Sequence, residues 1–176
     1  MDIEQLKYPV GKFALDKDVT KEKREGWIAE MAALPVALRR AVQGLTTEQL
    51  DTPYREGGWS TRQIVHHLAD SQMNTLIRLK LCLTVHEPTI TVVDQDAWAA
   101  TADVLKVEPH VSLGILDGVN ARIAALLSSL ESEDFKKVFR HPERGLMDVD
   151  HTLQLYAWHC RHHLAQIVAL RKRQDW

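Results

Sequence analysis

Five histidines in two short segments are the residues most able to do chemistry. They are His66 and His67, and then His159, His162 and His163 within the stretch Tyr156-Ala-Trp-His159-Cys-Arg-His162-His163. His159 and His163 stand four apart. On a helix they share one face, with Cβ atoms roughly 5–6 Å apart, so two imidazoles can reach one metal ion. The three-residue pair His159–His162 is the other option. A third ligand must come from another element, and His66-His67 is the source. Neutral imidazole suits zinc, nickel, cobalt or iron. Three protein ligands leave a position for water or substrate, the open arrangement of a catalytic site. No glutamate of a zincin motif accompanies the pair. Nine histidines in 176 residues make some four-apart pairs by chance, so spacing alone leaves structural or surface roles open. His86, His110, His141 and His151 lack such spacing and read as ordinary loop, cap or surface residues.

Those side chains need rigid elements. Apolar returns at three and four predict helix 20–43 (with Pro35 as a kink), helix 61–84, helix 110–130 and helix 150–173. Thr20, Ser60 and Asp150 are the expected N-caps, and Ser60 with Gln63 makes a capping box. Residues 1–19 read as an irregular arm broken by Pro9 and Gly11, 46–50 as a helical turn, 52–58 as a loop closed by Gly57-Gly58, 86–98 as loop, and 135–149 as a hairpin or loop. Four long helices in one domain spanning 1–176 predict an all-α four-helix bundle. Connections this long call for a crossover. On helix 61–84, His67 shares a polar line with Ser71, Asn74 and Arg78. Buried polar groups need partners, so that line is what an interior site would use.

Bulk composition excludes several classes. A net charge of −2 offers no nucleic-acid footprint, and Arg171-Lys172-Arg173 reads as charge at a helix C-terminus. Two cysteines, Cys82 and Cys160, are too few for a disulfide scaffold and read as separate packed thiols. No signal peptide opens the chain, and no run is read as a membrane span. A cytoplasmic protein that binds neither nucleic acid nor membrane is expected.

The chain resembles the DinB/YfiT-like superfamily, and within it the YfiT-like metal-dependent hydrolases, a branch similar to bacillithiol S-transferases. The matching segments are Leu50-Asp-Thr-Pro-Tyr-Arg-Glu-Gly-Gly-Trp59, Arg62-Gln-Ile-Val-His-His-Leu-Ala-Asp-Ser71 with Asn74 and Arg78, and Tyr156–His163, joined by Tyr8-Pro9-Val10-Gly11 and Trp176. The resemblance implies a DinB-like four-helix bundle with up-down-down-up topology, commonly a homodimer. It also implies one divalent ion per subunit, zinc or nickel, on His67, His159 and His163. Gln72 and Gln166 depart from the family pattern, which often has histidine at both places. Both changes bear on hydrogen bonds around the ligands or on substrate contacts.

Two chemistries fit such a site. In the first, a low-molecular-weight thiol binds as thiolate and attacks an electrophilic co-substrate. In the second, an activated water hydrolyses an amide or ester, which calls for a positioned acid or base. Asp70, Glu56 and Asp94 are the candidates for that role, and nothing in the sequence places them near the histidines. The missing base favours thiol S-transfer as the first expectation, with hydrolysis as the alternative and a non-catalytic, metal-stabilised binding protein as a third reading. Asp70, Asn74 and Arg78 are the weaker catalytic candidates. Tyr54, Arg55, Trp59 and Trp158 are expected at the rim or wall, and Cys160 as a packed thiol.

Overall fold

The computed structural model describes residues 2–176. Its long helices are α2 (Lys21–Val42), α4 (Thr61–Thr84), α7 (Pro109–Ser128) and α8 (Val149–Gln174). Four short helices, α1 (Ile3–Lys7), α3 (Thr47–Leu50), α5 (Gln95–Ala99) and α6 (Ala102–Lys106), lie in the connections with a hairpin of β1 (Val138–His141) and β2 (Gly145–Asp148). The fold is all-α with a four-helix-bundle core, and the hairpin is its one sheet among the described residues.

Local chemistry sets the helix starts. Thr20 accepts from the Lys23 N–H at the head of α2, and Ser60 with Gln63 forms a reciprocal capping box at the head of α4. A second box, Thr46 with Gln49, makes α3 a true turn of helix. Helix α8 begins earlier than expected. Asp148, not Asp150, accepts from the His151 N–H, and Asp150 lies in the first turn, where its carboxylate takes a bidentate pair from Arg24. Pro35 stays inside an unbroken α2. The 86–98 connection, expected as loop, ends in α5, whose N-cap is Asp94, and the arm expected to be irregular contains α1. Both helices are five residues long, too short for periodicity to show.

Side-chain contacts give the helix directions. Arg24 meets Asp150 at the starts of α2 and α8, and Arg171 donates to the Ala41 carbonyl at their ends, so these two run parallel. Arg62 meets Val107 and Glu108, and His66 meets Ser112, so α4 and α7 also run parallel. Asn120 donates to the Met31 carbonyl while Arg39 pairs with Asp117, which makes α2 and α7 antiparallel. Arg78 meets Tyr156 while His67 meets His159, which makes α4 and α8 antiparallel. Helix α7 is long and apolar enough to cross a membrane, contrary to the sequence expectation. Its Leu116, Ile123 and Leu127 instead pack inside the protein with Met31, Leu38, Ile64 and Leu68. Each such side chain contributes about 1.5–3 kcal/mol by leaving water.

Candidate metal centre

Helix α4 presents His67 and the antiparallel α8 presents His159 and His163, and the three Nε2 atoms converge. His159 Nε2 lies 3.1 Å from both His67 Nε2 and His163 Nε2, and one nitrogen from each ring falls within 4.8 Å of the others. Ligand nitrogens about 2.0–2.1 Å from a tetrahedral ion stand about 3.3 Å apart, so the cluster fits one divalent cation. The protons agree. His163 Nδ1 donates to Gln166 Oε1 at 2.8 Å, which leaves a lone pair on His163 Nε2. A neutral His159 has one N–H to share between two facing nitrogens, whereas a cation satisfies all three lone pairs at once.

Gln166 holds this arrangement. Its Nε2 donates to the Lys7 carbonyl at 3.1 Å and faces His162 Nε2 at 3.0 Å, so the amide oxygen must face His163. One side chain thereby fixes the His163 tautomer, orients His162 and ties the N-terminal arm to α8. His162 is no member of the cluster. It stacks on Trp158, with ring centroids 4.7 Å apart. His66 is also set apart, its nitrogens bonded to Ser112 Oγ and the Val107 carbonyl. The histidines whose nitrogens converge are thus His67, His159 and His163, the set that the resemblance implies.

Burial sets the protonation states. It pushes His67 down to about 4, with the charge of His162 adding to the effect. His159 and His163 fall well below the usual imidazole range for the same reason, their neighbouring histidines adding to it. Neutral rings are the form that binds metal. Burial raises Asp70, helped by Asp103, and drives Cys160 up to about 12. Cys160 is a packed thiol that accepts from Gln72 Nε2, and it is no nucleophile.

The cluster opens on a cleft of about 790 Å³. The 51–60 loop builds one wall. Tyr54 N–H bonds the Trp59 carbonyl, Gly57 takes φ +63°, and a Cβ at Gly58 would sit 2.7 Å from the Tyr54 ring, so glycine is required there. The turn lays Trp59 over His67 at 4.5 Å and nearly parallel to His163 at 5.9 Å. Of the acid–base candidates, Asp70 and Asp94 line the cleft and Glu56 does not; Asp94 is engaged as the cap of α5. Asn74 lines it too, its amide donating to the Asp70 carbonyl. Tyr54, Arg55 and Trp158 are wall residues as expected. Sequence reasoning missed the hairpin's share, with His141, Glu143 and Arg144 in the lining. Pairing of β1 with β2 brings them there, and no local signal marks it.

A sequence model of the DinB superfamily matches residues 30–167. The chain belongs to the DinB superfamily. Its YfiT-like branch is seen in the relatives. A Bacillus cereus protein named "Putative metal-dependent hydrolase" is 47% identical over 97% of this chain and 98% of its own length. A Bacillus thuringiensis subsp. konkukian protein of the same description matches equally well. The solved structure of YfiT from Bacillus subtilis, described as "a probable metal-dependent hydrolase with an unusual four-helix bundle topology", superposes with a TM-score of 0.95 at 42% identity, covering 98% of this chain and 99% of that one.

Proposed function

We propose that this DinB-superfamily chain is a metal-dependent hydrolase of a small ester or amide, holding zinc or nickel through Nε2 of His67, His159 and His163. The observation that carries the reading is the convergence of three neutral imidazoles at a cleft that also contains Asp70. An ion held by these three rings would supply Lewis-acid chemistry at the cleft and would make a water there easier to deprotonate. Asp70, one turn beyond His67 on α4, has its pKa raised by burial. That tuning suits a carboxylate that takes a proton from attacking water and returns it to the leaving group. Tyr156 Oη accepts from Arg78 Nη1 at 2.6 Å, which leaves its own proton to donate to an acyl oxygen. Trp59 keeps bulk water off the rings. The contact directions support an up-down-down-up course for the four long helices.

The preference for thiol S-transfer rested on the lack of a base. Asp70 in the cleft removes that argument, and the names of the Bacillus relatives favour hydrolysis. Among the described residues no fourth histidine, cysteine or carboxylate completes the cluster, which counts against an ion of purely structural role. The test is turnover of p-nitrophenyl esters and anilides by zinc- or nickel-loaded protein. His159→Ala should lose both metal and turnover. Asp70→Asn should keep the metal and lose about 10²–10⁴-fold in rate. Turnover that appears only when bacillithiol, mycothiol or glutathione is added would replace this reading with S-transfer.

A further inference from the structure

The chain carries a net charge of −2, and its cleft is lined by four cations, Lys7 (paired with Glu4 at 3.6 Å), Arg55, Arg78 and Arg144, and by three carboxylates, Asp70, Asp94 and Glu143. Asp94 keeps its charge while it caps α5, so the protein's own charges around the cleft are close to balanced. A divalent ion on three neutral rings would add two positive charges. A surplus of one sign in a cleft draws in the opposite sign.

One cation is held ready. Arg78 stands eleven residues beyond His67, about three turns along the same face of α4. Its Nη1 donates to Tyr156 Oη at 2.6 Å and its Nη2 to the Thr91 carbonyl at 3.2 Å. Thr91 belongs to a segment that is itself pinned, since Ile90 N–H bonds the Arg140 carbonyl and Arg140 N–H bonds the Pro88 carbonyl. These two neutral acceptors use two of the five guanidinium donors. No carboxylate lies within ion-pair distance of Arg78 among the described residues. Arg144, at the hairpin turn on the same cleft, is likewise without an acidic partner. A half-buried guanidinium bound only to neutral oxygens keeps both its charge and its planar fork for a ligand.

We infer that Arg78 seats a carboxylate of the substrate, so that the scissile bond is carried to the histidine cluster by an anionic acyl compound. This deepens the hydrolase reading and rests on it. The seat lies one side chain from the histidines, since Arg78 bonds Tyr156 Oη and the Tyr156 ring stands 6.0 Å from that of His159, so the substrate carries its carboxylate only a few bonds from its reacting carbonyl. Arg144 lines the same cleft.

The test is calorimetric binding of succinate to zinc-loaded protein, with succinamide and inorganic phosphate as comparison probes. Succinate should bind and uncharged succinamide should not. Arg78→Met should weaken succinate about ten- to a hundredfold. Arg78→Lys, which keeps the charge but loses the fork, should fall between. Retained zinc content and circular dichroism would show that the variants are folded. Equal succinate affinity in wild type and Arg78→Met, or no succinate binding by the wild type, would overturn the assignment. Tighter binding of phosphate than of succinate would overturn its carboxylate half. Loss of the hydrolase reading is separable: an Arg78-dependent succinate site in a protein that turns over no ester or amide keeps the seat and removes the hydrolysis.

Discussion

Gln166 makes the most demanding prediction, because one buried amide serves three partners. It is 2% exposed, accepts from His163 Nδ1 at 2.8 Å, and faces both His162 Nε2 and the Lys7 carbonyl. Gln166→Leu removes the acceptor that fixes the His163 tautomer. Loss of such a partner lowers metal affinity about 10–100-fold, which is about 1.4–2.7 kcal/mol. It also strands His163 Nδ1–H and His162 Nε2 in the interior, at about 1–3 kcal/mol each. The two stranded groups together cost about 2–6 kcal/mol, below most of the range of about 5–15 kcal/mol for the stability of an ordinary domain, and circular dichroism should show the variant folded. Gln166→Glu separates the two roles. A carboxylate accepts from His163 at least as well but cannot donate to Lys7. Zinc competition against a chromophoric chelator should therefore rank wild type and Gln166→Glu together, well above Gln166→Leu. Hydrogen exchange in the Ile3–Lys7 helix should rise in both variants. Zinc affinity in Gln166→Leu within twofold of wild type, or an equal loss in both variants, would refute the reasoning.

Three further outcomes are expected. Between about pH 6.5 and 4 the unfolded chain protonates histidines that burial keeps neutral in the fold, His67 and His162 being held down to about 4. The unfolded state then binds more protons, so metal-free protein should lose stability as the pH falls through that window, and a urea midpoint that stays flat across it contradicts this. Gly58→Ala places a Cβ 2.7 Å from the Tyr54 ring. It should cost about 1–3 kcal/mol and shift the Trp59 emission, and an unchanged melting temperature would show that the loop gives way. Cys160, pushed up to about 12, and Cys82, up to about 11, should resist iodoacetamide near neutral pH until urea is added. Prompt labelling of either in the folded protein would disprove their inert burial.

Much of this molecule was legible from local pattern. The caps at Thr20 and Ser60 and the three-and-four apolar spacing mark α2, α4, α7 and α8 because helix formation answers to neighbours within one or two turns. His159 and His163 share a face for the same reason. The misses in element placement were of two kinds. The five-residue helices α1 and α5 carry too little periodicity to register. At the start of α8, Asp148 takes the cap while Asp150 pairs with Arg24, 126 residues away, a contact no local pattern reveals.

The sequence by itself determined which nitrogens are four apart, which histidine of His66-His67 lies on the polar line, and that Gln166 departs from the family pattern. Only the tertiary structure decided that α4 runs antiparallel to α8, so that His67 Nε2 comes within 3.1 Å of His159. It alone brought Asp70, the hairpin's Arg144 and the arm's Lys7 to one cleft. The physical reason is range. Helical geometry is set by hydrogen bonds four residues long, whereas the company a side chain keeps is set by how apolar faces far apart in the chain are packed away from water.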